Sequence, residues 1–192
     1  MRFSQAARFM ATLLLVLGVS LPATAQAPFE GDPENTLLLE LSSGGTVEIL
    51  LRPDLAPLHV ERIRTLTREG FYDDIVFHRV IDGFMAQTGD PTGTGMGGSS
   101  RPDLKAEFTE TPFRRGTVGM ARASDPDSAN SQFFIMFNLA RHMNSPRNPS
   151  GYYTVWGEVV SGMQHVDALP RGEPPAEPGR IVSARIMADT RR

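Results

Sequence analysis

From Thr36 to Ile186 the chain is a string of short apolar, β-rich runs cut apart by glycine and proline, with helical spacing in two places. That pattern constrains the fold more than any other feature. A doubly wound parallel sheet needs a crossover helix between successive strands. Two helices are too few for it. Many short strands with few helices leave a β-barrel or a sandwich. The chain has no cysteine, so no disulfide framework can stand in for a core. One domain has to hold together by burial alone, and its length is enough for that.

The runs can be placed one by one. Thr36–Leu41, a Ser-Ser-Gly-Gly turn and residues 46–51 read as strand, turn, strand. Pro57 suits the first turn of a helix. Val60, Ile63 and Leu66 then recur at helical spacing while Glu61, Arg62, Arg64 and Arg68 face water. Gly70 closes that helix as its C′ residue. Residues 75–85 read as one apolar strand, and residues 89–103, with five glycines and two prolines, as a loop. Residues 117–121, 133–137 and 152–160 are further strands, the last carrying Trp156, the sole tryptophan. Met163, Val166 and Leu169 mark a short second helix. The proline-rich loop 170–178 follows, and Val182, Ala184 and Ile186 alternate with polar neighbours in a last strand. No internal repeat or long linker divides the domain.

The first 25 residues stand apart. Arg2 and Arg8 precede an apolar run from Phe9 to Leu21, and Ala23-Thr24-Ala25 has the small-residue pattern of a cleavage site. This predicts a signal peptide over 1–25, a mature start at Gln26 and a flexible lead-in over 26–34, which leaves one folded domain over 35–188 and a tail over 189–192. Export is expected, to a bacterial periplasm first and full secretion second, since the leader pattern is the same for both. Removing Arg2 and Arg8 takes the formal charge from −3 to −5. A mildly acidic surface argues against nucleic acid or an anionic membrane as partner.

Two blocks carry chemical information. Residues 77–90 read Phe-His-Arg-Val-Ile-Asp-Gly-Phe-Met-Ala-Gln-Thr-Gly-Asp, and Gly116 to Ala123 leads on to Asn130-Ser131-Gln132-Phe133-Phe134-Ile135. Neither contains a thiol, an acid–base pair or a metal cluster. In the first block, one arginine, one glutamine and an apolar pair suit chemistry done by hydrogen bonding in an apolar pocket. Arg79 on a strand can equally be a surface residue or a structural ion pair, and Phe84, Met85 and Phe134 could be core. Strand alternation puts Phe134 on the face opposite Phe133 and Ile135.

The two blocks, in this order, closely resemble the cyclophilin family of peptidyl-prolyl cis–trans isomerases, over about Asn35 to Met187. The resemblance implies a mainly β fold, an eight-stranded antiparallel barrel capped by two α-helices. It implies an enzyme that accelerates rotation about X–Pro bonds, without cofactor or metal. Resonance gives such a bond a barrier of about 18–20 kcal/mol, hence a rate on the order of 0.01 per second at the upper value. Reaching about a thousand per second takes some 6–7 kcal/mol of selective stabilisation of the twisted state. A fixed cationic donor inside an apolar wall supplies it. By resemblance, Arg79 is the catalytic arginine and Gln87 positions it. Phe84, Met85 and Phe134 form the proline pocket, and Ala121, Arg122 and Gln132 line the peptide groove, the first two through backbone groups. The implied partners are proline-containing polypeptides, unfolded or extended, bound by a monomer with no membrane contact after leader cleavage.

The chain also departs from the family. Counted without gaps, the family's Trp-Leu-Asp falls on His142-Met143-Asn144. Met143 therefore stands for the pocket leucine, which it can mimic, and His142 for a tryptophan that contributes to cyclosporin binding, so weak sensitivity to that drug is expected. Tyr153 stands where many members have a pocket histidine, and Arg122 where asparagine is frequent. A non-catalytic peptide-binding barrel is the rival reading; such a binder has no need of Arg79. Gly93-Thr94-Gly95-Met96-Gly97-Gly98 fits a dinucleotide fingerprint in letters alone, since Pro102 argues against the helix that should follow. His59, His78, His142 and His165 match no metal spacing. His59 and His165 are expected at helix surfaces or boundaries, and His78 is expected to support Arg79. No G-x-S-x-G elbow suggests a serine hydrolase.

Overall fold

The computed structural model describes residues 31–144 and 151–190. The leader, the first residues of the lead-in and the end of the tail lie outside the described residues. A single 3-10 turn, Pro33–Asn35, precedes β1 (Thr36–Leu41), β2 (Gly45–Leu51), α1 (Pro57–Arg68), β3 (Arg79–Ile81), β4 (Met85–Thr88), β5 (Thr117–Met120), β6 (Phe133–Met136), β7 (Val155–Ser161), α2 (Met163–Asp167), β8 (Ile181–Ile186) and α3 (Met187–Thr190).

All eight strands form one antiparallel sheet in the order β3-β4-β6-β5-β7-β2-β1-β8. The sheet curls, and segments beside its two edge strands come together. Isolated antiparallel bridges join Val76 to Arg180 and Val80 to Gly172, and the Phe77 N–H donates to the Gly179 carbonyl at 2.8 Å. The eight-stranded antiparallel architecture that the resemblance implies is what the structure contains. Two details differ. The apolar run 75–85 is not one strand; Asp82-Gly83-Phe84 turns it back on itself, separating β3 from β4. Gly83 takes the positive φ (+67°) that the turn needs. A third, one-turn helix, α3, also follows β8 directly.

Alternation along the strands decides what lies inside. Val80, Ala86, Ile135 and Val118 share one cross-strand row and are buried in the main core with Phe133 and Trp156. The Phe133 and Trp156 rings meet edge-on at 5.4 Å. Helix α1 closes the barrel with Val60, Ile63 and Leu66. Its end is a Schellman motif: Gly70 (φ +71°) donates to the Thr67 carbonyl at 3.0 Å and Phe71 to that of Leu66 at 2.9 Å. On its outer side Arg68 pairs with Glu34 at 2.8 Å and with Asp189 at 3.0 Å.

The start of α1 corrects the expectation for His59. Ala56 offers no capping side chain. Glu107, from a distant loop, supplies the cap, accepting from the Leu58 and His59 N–H groups at 3.1 and 3.0 Å. His59 Nδ1 lies 2.6 Å from the same carboxylate, and its ring is 0% exposed. The adjacent Val60 faces the core, and His59 is drawn in with it. Its Nε2 is buried without a partner. Burial lowers the His59 pKa, against the opposing pull of Glu107. A histidine depressed in the folded state stabilises above its unfolded pKa of about 6.5 and loses that stability as pH falls. Denaturant midpoints should therefore drop below about pH 6.5, and His59→Asn, which keeps a donor but cannot titrate, should flatten that slope. An equal slope in the variant would assign the titration elsewhere. His165 is half-exposed, at a boundary as expected.

Candidate active site

The outward face of the same strands carries the residues of interest. Arg79 stands opposite Gln87, Gln87 opposite Phe134, and Phe134 opposite Gly119, so β3, β4, β6 and β5 contribute one residue each to a single row. The next outward row holds Ile81, Met85 and Met136. Phe134 thus lies on the face opposite Phe133 and Ile135. It belongs to a second apolar cluster with Met85, Phe113, Met136, Ala140, Met143 and Val155, packed against the outside of the barrel.

Met85, Phe134 and Met143 of this cluster floor an open cleft of about 660 Å³. Arg79, Gln87, Phe84, Met85, Ala121, Arg122, Phe134, Met143 and Tyr153 all line it, as does His142. Gln132 does not. It lines a neighbouring hollow of about 490 Å³, which also shares Gln87, Ala121 and Arg122. Phe134 is 5% exposed, with its ring 5.4 Å from Phe113 and edge-on to Tyr153 at 5.7 Å. Gly119 is required beneath it, because a methyl group there would sit 2.6 Å from ring carbons of both Phe113 and Phe134. Met143 is 6% exposed in the same wall, so its side chain does fill apolar space there. Phe84 stands over the edge, its ring 6.1 Å from that of the exposed His142.

A relay of hydrogen bonds fixes the polar side. Arg79 Nη1 donates to Gln87 Oε1 at 3.4 Å, and Gln87 Nε2 donates to Gln132 Oε1 at 2.9 Å. Gln132 Nε2 donates in turn to the Gly95 and Gly97 carbonyls at 3.0 and 2.8 Å. Those carbonyls belong to the glycine loop, which is organised by Asp90. The buried Asp90 carboxylate accepts from the N–H groups of Thr92, Thr94, Gly95 and Gly97 at 2.6–3.1 Å and from the Thr92 hydroxyl. Burial pushes the Asp90 carboxyl up, but these donors outweigh it and hold it down at about 2. Gly97 has no room for a side chain, since a Cβ would meet Asp90 Oδ1 at 2.2 Å. No helix follows this loop, so its glycines serve the relay.

Arg122 is folded back over the end of the cleft. Its Nε and Nη2 donate to the Tyr152 carbonyl at 3.1 and 2.9 Å, and its guanidinium lies 4.7 Å above the Tyr153 ring. The Ala121 N–H already donates to the Gln132 carbonyl at 2.9 Å, so a peptide laid there must use other backbone groups. His78 corrects a further expectation. It is buried beside Gly95 without a hydrogen bond to Arg79, and neither ring nitrogen has a partner. Burial lowers its pKa, favouring the neutral ring. Two participants were not foreseen. Phe113, fully buried, packs behind the Phe134 ring, and Glu173, in the proline-rich loop, pairs with Arg79 Nε at 2.7 Å. Nothing in their local sequence marks either one. Among the described residues no cluster of acidic, histidine or cysteine side chains could hold a metal, and no helix is long and apolar enough to cross a membrane.

Comparison with known proteins agrees with this geometry. The family model "Cyclophilin type peptidyl-prolyl cis-trans isomerase/CLD" matches residues 36–186. The chain belongs to the cyclophilin family. A Brucella suis protein named "Probable peptidyl-prolyl cis-trans isomerase" is 48% identical, the match covering 94% of this chain and 95% of that one. The isomerase B of Bacillus subtilis is 38% identical over 69% of this chain and 89% of its own. Among solved structures, a cyclophilin of Hirschia baltica superposes with a TM-score of 0.72 at 29% identity, covering 82% of this chain and 76% of the other. The chain is therefore a peptidyl-prolyl cis–trans isomerase, and the cyclophilin fold puts its outward cleft on the one sheet face that is not barrel core.

Proposed function

We propose that the cleft over β3, β4, β5 and β6 is where this cyclophilin turns X–Pro bonds, and that its substrates are proline-containing stretches of unfolded or extended polypeptides. The observation that carries this reading is the single row Arg79–Gln87–Phe134, which puts a cationic donor and an apolar ring on one floor. A Cryptosporidium parvum cyclophilin, 27% identical, was solved with the dipeptide Ala-Pro, which supports a prolyl peptide as ligand of the class. The proline ring packs against Phe84, Met85, Phe134 and Met143. Arg79 donates toward the prolyl nitrogen and adjoining carbonyl as the bond twists. Gln87 holds the arginine, Gln132 holds Gln87, and Ala121, Arg122 and Tyr153 border the chain preceding proline. Rotation breaks no bond, so a fixed donor and a dry wall suffice.

We further propose that residues 1–25 direct export and that the mature enzyme, starting at Gln26, assists the folding of exported proteins. Support for this comes from the Arg2/Arg8, apolar-run and Ala-x-Ala pattern alone. Purified residues 26–192 should accelerate cis-to-trans conversion of a short Ala-Pro peptide, measured by exchange NMR. A folded protein without acceleration would favour the peptide-binding barrel. Fractionation of a bacterium expressing the full chain should place a form beginning at Gln26 outside the cytoplasm, and an uncleaved cytoplasmic form would refute export.

A further inference from the structure

The row across the sheet does not end at Arg79. Val80 and Gly172 exchange two backbone hydrogen bonds, each 2.8 Å, as an antiparallel bridge. In that register the residue before Val80 faces the residue after Gly172, which sets Glu173 directly across from Arg79. Its carboxylate accepts from Arg79 Nε at 2.7 Å, shorter than the 3.4 Å contact to Gln87. Its own segment is fastened as well. Arg171 pairs with Asp82 at 3.1 Å and lies 4.4 Å over the Phe137 ring.

We propose that Glu173 is a positioning residue for the isomerase reaction, pinning the Nε edge of Arg79 so that its outer edge faces the prolyl bond. The inference rests on the reading of Arg79 as the catalytic donor. An arginine side chain is long and flexible, and Gln87 touches one end of its fork by a long bond. With Glu173 at Nε and Gln87 at Nη1, the planar group has two fixed points. Nη2 has no partner among the described residues and is left for substrate. The pair is 40% and 52% exposed, so it adds little to folding stability. What it contributes is orientation, which matters when a misplaced donor alone slows a reaction.

The anion also weakens the field of Arg79, and two substitutions separate the effects. Glu173→Ala removes acceptor and charge. Glu173→Gln keeps an acceptor for Nε and removes only charge. Glu173→Ala should lower kcat on an Ala-Pro peptide about fivefold with KM changed less than twofold, and Glu173→Gln should restore at least half of wild-type kcat. The double variant Arg79→Ala/Glu173→Ala should be no slower than Arg79→Ala. Overturning results are a Glu173→Ala enzyme within twofold of wild type while Arg79→Ala is slow, or a double variant slower than Arg79→Ala by the full Glu173→Ala factor. An Arg79→Ala enzyme as fast as wild type would instead remove the underlying reading, and the inference with it.

Discussion

Replacing Arg79 by alanine lowers turnover of an X–Pro peptide at least tenfold, about 1.4 kcal/mol of barrier, and leaves the fold intact. The first half follows from the size of the task. Some 6–7 kcal/mol of selective stabilisation has to come from few groups. Arg79 is the one permanent cation in the row that crosses the cleft floor. The second half follows from its exposure. Its side chain is 40% exposed and bonded to Glu173 and Gln87, both at the surface or half-buried. No core contact is lost with it. Paired measurement of the variant's circular dichroism and its exchange rate tests both halves. Unchanged turnover in a folded variant would eliminate Arg79 as the donor. Phe134→Ala is a poorer test, because a ring 5% exposed is also structural.

Removing the Asp90 carboxylate does more damage to stability. Asp90→Ala strips the acceptor from four backbone N–H groups and the Thr92 and Thr94 hydroxyls. Charge-assisted bonds of this kind are worth about 1.5–3 kcal/mol each when made, but a freed surface loop rehydrates, so a net loss of about 2–4 kcal/mol is expected. Turnover falls too. The Gly95 and Gly97 carbonyls hold Gln132, which holds Gln87, which holds Arg79. Acid provides an independent reading. A carboxyl depressed from 3.8 to about 2 stabilises the fold above pH 3.8 and surrenders that contribution as pH falls toward 2. Asp90→Asn should remove this acid limb. A variant that keeps wild-type urea midpoints and wild-type turnover would show that the relay is ornamental.

Much of this was legible in the sequence, and the failures have two causes: an unbroken apolar run and partners distant in the chain. Alternation placed Phe134 opposite Phe133 and Ile135 because period two is a local property of strands. Gly70 announced the end of α1 because a positive φ is local as well. The turn at Asp82–Phe84 was hidden because Val80, Ile81, Phe84 and Met85 form one apolar run on both sides of it. His59 was misjudged because the partner that lets it be buried, Glu107, is 48 residues away. Glu173 was missed because only barrel closure, 94 residues on from Arg79, brings it to that side chain. The resemblance supplied the arginine; long-range pairing supplied what steadies it.

The clasp on α1 has an engineering consequence. One guanidinium, that of Arg68, holds Glu34 from the first turn and Asp189 from the last. Neither acid borders the cleft. Entry and exit of the domain therefore meet at a single point away from the substrate channel. The polypeptide is topologically close to a circle, so it suits circular permutation, or insertion as a cassette into a host loop, with the catalytic mouth left open.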